Sequence, residues 1–174
     1  MKNPTYSFNK ATEQQIKDHF WRVDADFSPP LHTYVDISIY AEKLATSSVR
    51  LEIFIEANLI GLIAGYYNSD KQFLFGSNFS IEKEYRGKGM ELFNVLLIFM
   101  GNNQEQFNLS PEMKEIGIQF LEALKEDAKP AKLVMKSIHT EVHHSNRRLI
   151  LYYKRLGFKE VETTNESIYL IKKI

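Results

Sequence analysis

The sequence feature that most constrains the fold is the stretch from Ile81 to Glu91, IEKEYRGKGME, in which an apolar segment runs into a turn with two glycines. Glycine lets the backbone approach a ligand closely because it has no Cβ, and a helix that begins there would direct unpaired N–H groups toward an anion. Arg86 and Lys88 add positive charge, which attracts a polyphosphate. We interpret the turn as a phosphate-binding cradle, with an ordinary exposed turn as the alternative.

The surroundings of this stretch place it between a strand and a helix. Phe73 to Ile81, immediately before it, is an apolar run with β character. Met90 to Met100 is apolar on nearly all sides, which predicts a buried helix, with a buried strand as the alternative. A strand-to-helix turn is the context that a diphosphate site needs.

Length and charge limit the class of protein. At 174 residues the chain is expected to form a single domain with a substantial core. Lys plus Arg and Asp plus Glu both total 22, so the formal net charge is zero. This balance argues against a nucleic-acid partner and against a membrane surface, and it means that any anion site has to be local.

The absence of cysteine excludes disulfides, thiolate metal sites and a cysteine nucleophile. The N-terminal residues MKNPTYSFNKATEQQ lack the apolar core of a signal peptide. The longest apolar run, Val95 to Met100, is too short to span a bilayer. We therefore expect a cytoplasmic protein.

Periodicity and punctuation predict the order of the other elements. After a short first strand we expect a helix capped by Thr12, a second helix capped by Asp36, and then a hairpin. An amphipathic helix, a strand, another helix and two short strands follow the cradle. The predicted ranges are Thr5 to Phe8, Glu13 to Val23, Ile37 to Leu44 and beyond, Val49 to Glu56, Leu59 to Tyr67, Pro111 to about Ala128, Lys132 to Val142, Asn146 to Leu156, Phe158 to Val161 and Ser167 to Ile171.

Two segments together resemble one protein family. IEKEYRGKGM, from Ile81 to Met90, resembles the Q/R-x-x-G-x-G/A motif of the GNAT superfamily of acyl-CoA-dependent N-acyltransferases. NRRLILYYKRLGF, from Asn146 to Phe158, resembles the later motif of that superfamily, an Asn, a helix with a Tyr, and a Gly-Phe ending. The resemblance implies an α+β fold, α/β-like in part, with a mixed and mostly antiparallel twisted sheet flanked by helices. It covers one domain of residues 1–174 apart from roughly residues 101–114, which we interpret as an extra segment.

The resemblance also implies how acetyl-CoA would bind. Its pyrophosphate would be held by backbone N–H groups of the cradle, its pantetheine arm would pair with the end of the preceding strand, and an asparagine would contact it from the other side. These cofactor-binding residues are Arg86, Gly87, Lys88, Gly89 and Met90 in the cradle, Phe79 and Ile81 on the strand, and Asn146.

Tyr153 falls on the tyrosine position of the family motif, seven residues after Asn146. By that likeness, its phenol would protonate or hydrogen-bond the CoA thiolate as it leaves, which suits a group that is protonated at neutral pH. The adjacent Tyr152 points about 100° away on a helix and is predicted to lie in the core.

The reaction also needs a base or a water path, because an amine must be neutral to attack a thioester. Glu141, on the strand that leads to Asn146, is the candidate that we place in the site, and Glu82 is the alternative; each would otherwise be a surface carboxylate. His139, His143 and His144 form an H-x-x-x-H-H cluster. A strand and its following loop do not bring that spacing together well, so no metal is expected.

This sequence departs from the family pattern at Glu91, where Gly or Ala is usual, and at Leu149, where Ala is usual. Removing Met90 to Glu115 would join RGKG to IGIQFLEAL, a closer match, so in an alternative register the cofactor helix begins at Gly117. We favour the continuous register because an insertion within a tight phosphate turn would destroy its geometry.

The sequence therefore predicts an N-acetyltransferase that moves an acetyl group from acetyl-CoA to a primary amine of a small molecule by direct attack. Phe20, Trp21 and Tyr40, with the loop from Ser28 to His32, would line the acceptor site, or these aromatics would be core. The alternatives are a catalytically impaired acyl-CoA-binding or regulatory module of the same fold and a protein N-terminal acetyltransferase. A homodimer is compatible with the sequence.

Overall fold

The computed structural model describes residues 4–86, 110–128 and 134–174. The α-helices in these residues are α1 (Glu13–Val23), α2 (Ile37–Ser47), α3 (Pro111–Ala128) and α4 (Arg147–Arg155). The strands are β1 (Thr5–Phe8), β2 (Val49–Ile55), β3 (Asn58–Asn68), β4 (Phe73–Ile81), β5 (Ser137–His143), β6 (Lys159–Thr163) and β7 (Ser167–Lys173).

Local sequence signals determine where three of these helices begin. Thr12 forms a capping box with Gln15, in which the Gln15 N–H donates to the Thr12 hydroxyl at 3.2 Å and the Thr12 N–H donates to the Gln15 side chain at 3.0 Å. Asp36 accepts two backbone N–H bonds at the start of α2. Asn146 accepts the Leu149 N–H at 3.2 Å at the start of α4. Each cap contributes about 1 kcal/mol. The predicted starts of α1 and α2 are confirmed, whereas α4, predicted to begin at Asn146 after a cap at Ser145, begins at Arg147 with Asn146 as its cap.

The strands form one mixed sheet in the order β1-β2-β3-β4-β5-β7-β6. Each neighbouring pair is antiparallel except β4 and β5, which run parallel. Helices flank this sheet, so the predicted α+β fold with a mostly antiparallel mixed sheet is confirmed.

Two hydrophobic cores lie on the two faces of the sheet. Leu62 and Ile63 are adjacent on β3 and point to opposite faces, as successive strand residues do. Leu62 packs with the buried side of α1 and α2, which includes Phe20 and Leu44. Ile63 belongs to the core that α3 and α4 cover. The sheet is therefore the middle layer of the molecule, and β4 and β5 lie at its centre.

The pattern of β2 differs from the alternation of buried and exposed residues predicted for it, because its polar side chains are buried too. Arg50 and Glu52 are 3% and 0% exposed and form an ion pair with 3.1 Å between Arg50 Nε and Glu52 Oε1. Arg50 also donates to carbonyls at the end of α2, and Glu52 accepts from the Ser7 hydroxyl and the Lys10 N–H. Buried charges of this kind require partners, and here they join α2, β2 and β1.

Residues 87–109 lie outside the described part of the chain. They include Gly87, Lys88, Gly89 and Met90 of the predicted cradle, Glu91, and the predicted helix Met90 to Met100. The alternative register placed the start of the cofactor helix at Gly117, but the helix that contains Gly117 begins at Pro111. Residues 111–114 of the segment interpreted as extra form the first turn of that helix.

Within the described residues, no helix combines the length and the apolar character that crossing a membrane requires.

Candidate active site

The candidate site lies where β4 and β5 separate. Their parallel pairing extends from Phe73 opposite Ser137 to Gly76 opposite Thr140. Beyond this point β4 continues to Ile81 beside β3, and β5 continues beside β7. The two strands therefore open into a wedge at the centre of the sheet.

A β-bulge marks the point of separation. Ala64 on β3 lies opposite Asn78, but the next residue, Gly65, lies opposite Gly76, so Ser77 is the extra residue. A bulge of this kind bends a strand and redirects its side chains. The Tyr40 hydroxyl donates to the Ser77 carbonyl oxygen at 3.0 Å and holds the bulge from the α2 side. Burial raises the pKa of Tyr40 to about 12, so this donor keeps its proton at neutral pH.

Two adjacent cavities open from the wedge. The larger, of about 560 Å³, is bordered by the end of β4, the end of α1 and one side of α4, including Ser80, Ile81, Arg86, Arg148, Tyr152 and Arg155. The smaller, of about 100 Å³, lies between β4 and β5 and is more polar, with Ser77, Asn78, Thr140, Glu141, His143 and Tyr153 among its lining residues. Phe27, Phe79, Asn146 and Leu149 border both. The two cavities therefore meet at these shared residues.

Tyr153 lies at the base of the smaller cavity, with 5% of its surface exposed. Burial raises its pKa to about 12, against the effect of a hydrogen bond with the Thr140 side chain, which lowers it. Thr140 donates to the Gly76 carbonyl oxygen at 3.2 Å, so it connects the phenol to the last paired residue of β4. The phenol is thus protonated at neutral pH and held beside the wedge.

Tyr152 packs against the core, as predicted, but is not fully enclosed in it. It is half-buried and borders the larger cavity, while Tyr153 is the more buried of the two.

Glu141 borders the smaller cavity from β5. It is exposed, and its carboxylate accepts a hydrogen bond from the Ser167 hydroxyl on β7. Glu82, the alternative base, lies beyond the end of β4, where Arg22 Nε is 2.7 Å from its carboxylate. The structure therefore brings Glu141 and Tyr153 to one cavity and places Glu82 outside its lining. The role of Glu141 as base stays a prediction.

The described residues predicted to bind the cofactor border the larger cavity: Phe79, Ile81, Arg86 and Asn146. The four other predicted cradle residues lie outside the described part of the chain.

The loop between α1 and α2 crosses the wedge and is attached to both sides of it. Arg86 Nη2, after β4, lies 2.5 Å from the Asp26 carboxylate. The Ser28 hydroxyl donates to the Ser145 hydroxyl, after β5, at 2.9 Å. Phe27 lies between these two attachments, so it borders both cavities.

The aromatic residues predicted to line the acceptor site lie elsewhere. Phe20 is fully buried and stacks on Tyr40 with 5.3 Å between ring centroids, which agrees with the core interpretation. Trp21 is 55% exposed. Phe27 and Tyr34 from the same part of the chain border the smaller cavity instead.

A buried polar group that sequence reasoning missed lies against β4. His19 on α1 is 0% exposed, and its Nε2 is 2.9 Å from Ser80 Oγ. Ser80 in turn donates to Asn78 Oδ1 at 2.8 Å. His19 directly precedes Phe20 of the predicted buried stripe, and the polar alternation of Asn78 and Ser80 on a central strand was the available signal.

The three clustered histidines each contact their own neighbours. His139 stacks on Phe73 with 4.1 Å between ring centroids, and burial lowers its pKa. His143 Nδ1 lies 2.8 Å from Ser145 Oγ, and His144 Nε2 lies 2.8 Å from the Thr164 carbonyl oxygen. Across residues 4–86, 110–128 and 134–174, no three His, Cys, Asp or Glu side chains are grouped to hold a metal ion.

Many solved structures similar to this chain are acetyltransferases. They include the PaiA N-acetyltransferase of Thermoplasma acidophilum in complex with coenzyme A, at 12% identity and a TM-score of 0.56, covering 98% of this chain and 99% of that one. An acetyltransferase of Thermus thermophilus has 13% identity and a TM-score of 0.59, with 100% of both chains covered. A GNAT-family acetyltransferase of Streptococcus pneumoniae has 12% identity and a TM-score of 0.52, covering 98% of this chain and 99% of that one.

No protein-family model and no curated protein sequence matches the chain. Structural similarity over the whole chain at such low identity establishes the architecture, and the chain has the fold of the GNAT superfamily of acetyltransferases.

Proposed function

We propose that this protein transfers an acetyl group from acetyl-CoA to the primary amine of a small molecule. The observation that carries the proposal is the wedge between β4 and β5, with the buried and protonated phenol of Tyr153 beside it. The complex of the Thermoplasma acidophilum neighbour with coenzyme A supports the choice of cofactor.

The larger cavity fits the chemistry of CoA. Arg86, Arg148 and Arg155 border it and offer guanidinium groups, which bind phosphate oxygens through charge-assisted hydrogen bonds. The β4 segment from Ser77 to Ile81 lies beyond its pairing with β5, so its backbone edge faces the wedge. This edge can exchange hydrogen bonds with the amides of a pantetheine arm, as an added strand does.

The smaller cavity fits the chemistry of acyl transfer. An amine nitrogen attacks the thioester carbonyl, the bond between carbon and sulfur breaks, and the sulfur takes a proton. Tyr153 supplies that proton, because its raised pKa keeps the phenol protonated. The nitrogen loses one proton as the amide forms, and this proton restores the phenol. The two reactants meet where Phe79 and Asn146 border both cavities.

The acceptor is expected to be a small cationic amine. Glu141 places a carboxylate at the smaller cavity, which attracts and orients an ammonium group. Phe27 and Tyr34 add aromatic surface against which a cation is also stabilised. The loop that crosses the wedge limits the cavity to about 100 Å³, which favours a small molecule.

Calorimetric titration with acetyl-CoA and a thiol-release assay test the proposal. The amine panel contains amino sugars, amino acids and a peptide with a free N-terminus. We expect binding and release with a small amine. Release with the peptide alone supports a protein acetyltransferase, binding without release supports an impaired module, and absence of binding overturns the proposal.

A matched pair of variants on α4 tests the cofactor site. Arg148→Gln removes a guanidinium from the larger cavity and should weaken acetyl-CoA binding about tenfold, the effect of losing one hydrogen bond to a charged group. Arg147→Gln, on the same helix but outside the described lining, is the control and should bind as the wild type does. Equal weakening in both would contradict this position of the cofactor.

A further inference from the structure

His19 is a buried titratable residue beside the wedge. It has no role in the acetyl transfer as described so far. Its ring is 0% exposed, and its Nε2 lies 2.9 Å from Ser80 Oγ. Within the described residues, its Nδ1 has no hydrogen-bond partner. The Glu82 carboxylate lies 3.8 Å from that nitrogen. Burying a polar atom without a hydrogen-bond partner lowers the stability of the folded state, and such an atom often has a functional role.

Ser80 links His19 to the space in which the reactants would lie. It borders the larger cavity, and it hydrogen-bonds Asn78, which borders the smaller one. Asn78 and Ser80 are 7% and 8% exposed, so the hydrogen bonds between them are shielded from water. The imidazole of His19 is thus separated from the larger cavity by one group, the Ser80 hydroxyl.

On its other side, His19 faces an anionic group that reaches the surface. The Glu82 side chain is 15% exposed and lies 2.7 Å from Arg22 Nε. Its contacts with His19 and then with Arg22 hold the pKa of this carboxyl below its usual value. Among the described residues, the charged groups recorded around the ring are Glu82 from the end of β4 and, through it, Arg22 from α1.

The donor and acceptor atoms of this array allow two arrangements of hydrogen atoms. When His19 carries two protons, Nε2–H donates to Ser80, the Ser80 hydroxyl donates to Asn78 Oδ1, and Nδ1–H faces Glu82. When the ring is neutral with its proton on Nδ1, Nε2 instead accepts the Ser80 hydroxyl proton, and the Asn78 amide turns to donate to Ser80. Imidazole tautomers and amide orientations are both assigned from such networks.

We propose that His19, acting through Ser80, takes up the proton that the acceptor ammonium must lose. The inference rests on the proposed function and names the proton path of that reaction. Glu141 then attracts the ammonium group, and the array of Ser80, His19 and Glu82 neutralises it.

The proton transfer balances without a further reactant. Where the two cavities meet at Phe79, the ammonium group gives one proton to Ser80 Oγ as the proton of Ser80 passes to His19 Nε2, which leaves a neutral amine and an imidazolium. The nitrogen lone pair that is freed then attacks the thioester. The imidazolium returns its proton to solvent on the side of Glu82, because that carboxylate is partly exposed.

Two acceptors distinguish this role from a structural one. An alkyl amine is protonated at neutral pH and must lose a proton, whereas the O-alkylhydroxylamine of the same chain is already neutral. His19→Gln keeps a polar group near Ser80 but cannot take up a proton. We expect it to lower kcat/KM for the alkyl amine about 100-fold, the effect of one general base. The rate with the hydroxylamine should stay within about threefold, because its nitrogen is already neutral and needs no proton removed before it attacks.

Ser80→Ala is a second, smaller change. It should also lower kcat/KM for the alkyl amine much more than the rate with the hydroxylamine. In both variants, raising the pH should recover the rate with the alkyl amine, because solvent then supplies the neutral form. His139→Gln is the control, since this histidine contacts Ser137 and Tyr169 and not the array. It should leave the ratio of the two rates unchanged.

Equal losses with both acceptors, or undiminished turnover of the alkyl amine, would overturn the inference while the proposed function stands. Absence of amine-dependent thiol release by the wild-type protein would overturn the proposed function, and this inference with it.

Discussion

The paired and the open halves of β4 differ in what their side chains do. From Phe73 to Gly76 the strand pairs with β5, Leu74 lies opposite Ile138 in the core, and Phe73 stacks on His139. From Ser77 to Ile81 it follows β3 but has separated from β5.

The open half holds the buried polar groups. Asn78 and Ser80 on this half of β4, and Tyr153 on α4 beside it, are all less than 9% exposed, and two cavities meet beside them. A strand that is paired on both sides uses its backbone N–H and C=O groups within the sheet. A strand that separates from one neighbour leaves the N–H and C=O groups on that side available to a ligand. The paired half therefore stabilises the fold, and the open half holds the polar groups on which the proposed chemistry depends.

The largest expected effect lies in the open half. Tyr153→Phe removes the proton donor, and kcat for acetyl transfer should fall about 1,000-fold, within the range for general acid catalysis. The Kd for acetyl-CoA should stay the same. Tyr169→Phe, whose hydroxyl contacts His139 on β5 and which borders neither cavity, is the control and should retain activity. Full turnover by Tyr153→Phe would exclude the phenol from the acid role.

A substitution in the paired half should change the free energy of unfolding and leave kcat/KM for acetyl transfer unchanged. Leu74→Ala should lower the free energy of unfolding by about 3 kcal/mol, since it leaves a cavity in the core. Urea unfolding measures this, and kcat/KM without denaturant should stay near the wild-type value. Leu151→Ala, at a position 56% exposed, should leave stability unchanged. A large loss of kcat/KM in Leu74→Ala would contradict the division between the halves.

Alkaline pH should lower the free energy of unfolding, because Tyr40, which holds the bulge at Ser77, loses its proton. Burial raises the pKa of Tyr40 to about 12, so the folded state holds this proton more tightly than the unfolded state. The resulting stability is fully present below the ordinary tyrosine pKa of about 10 and is lost as pH rises toward about 12. Near pH 11.5 the loss from Tyr40 should be roughly 2 kcal/mol.

Urea unfolding of wild type and Tyr40→Phe at several pH values isolates this contribution from that of the lysines. Plots of the free energy of unfolding against pH for the two proteins should run parallel up to about pH 10 and then converge or cross, because the variant has no phenol at position 40 to ionise. A constant difference at all pH values would contradict the assignment.

The smallest expected effect concerns the junction of the two halves. Thr140→Val keeps the side-chain shape but removes the hydroxyl that contacts Tyr153 and the Gly76 carbonyl. We expect kcat to fall about tenfold, the effect of one misplaced hydrogen bond. Thr163→Val on β6 is the control, because its hydroxyl bonds Glu160 on the surface. An unchanged kcat in Thr140→Val would show that Tyr153 needs no anchor.

Much of the fold could be predicted because its signals are local. The cap at Thr12, the helix from Pro111 and the strand from Phe73 to Ile81 were each predicted with the bounds that the structure has. Periodicity failed at β2, where Arg50 and Glu52 looked like exposed positions. Their burial depends on partners on α2 and β1, which are distant in sequence and which no local pattern indicates.

The candidate site could be predicted in part. The motif from Asn146 to Phe158 identified Tyr153, and Glu141 does border the same cavity. The motif could not indicate His19, because it lies 61 residues before Ser80 and meets it through the packing of α1 on the sheet. Phe20 and Tyr40 were assigned to the acceptor site as one of two interpretations, and packing against the sheet places them in the core.

The sequence by itself determined the order of helices and strands, the caps and the family motifs, because these depend on residues close together in the chain. The tertiary structure decided where β4 leaves β5, which polar groups are buried beside that wedge, and which side chains border its cavities. These features depend on contacts between distant segments, and their energies come from burial and desolvation that exist only in the folded protein.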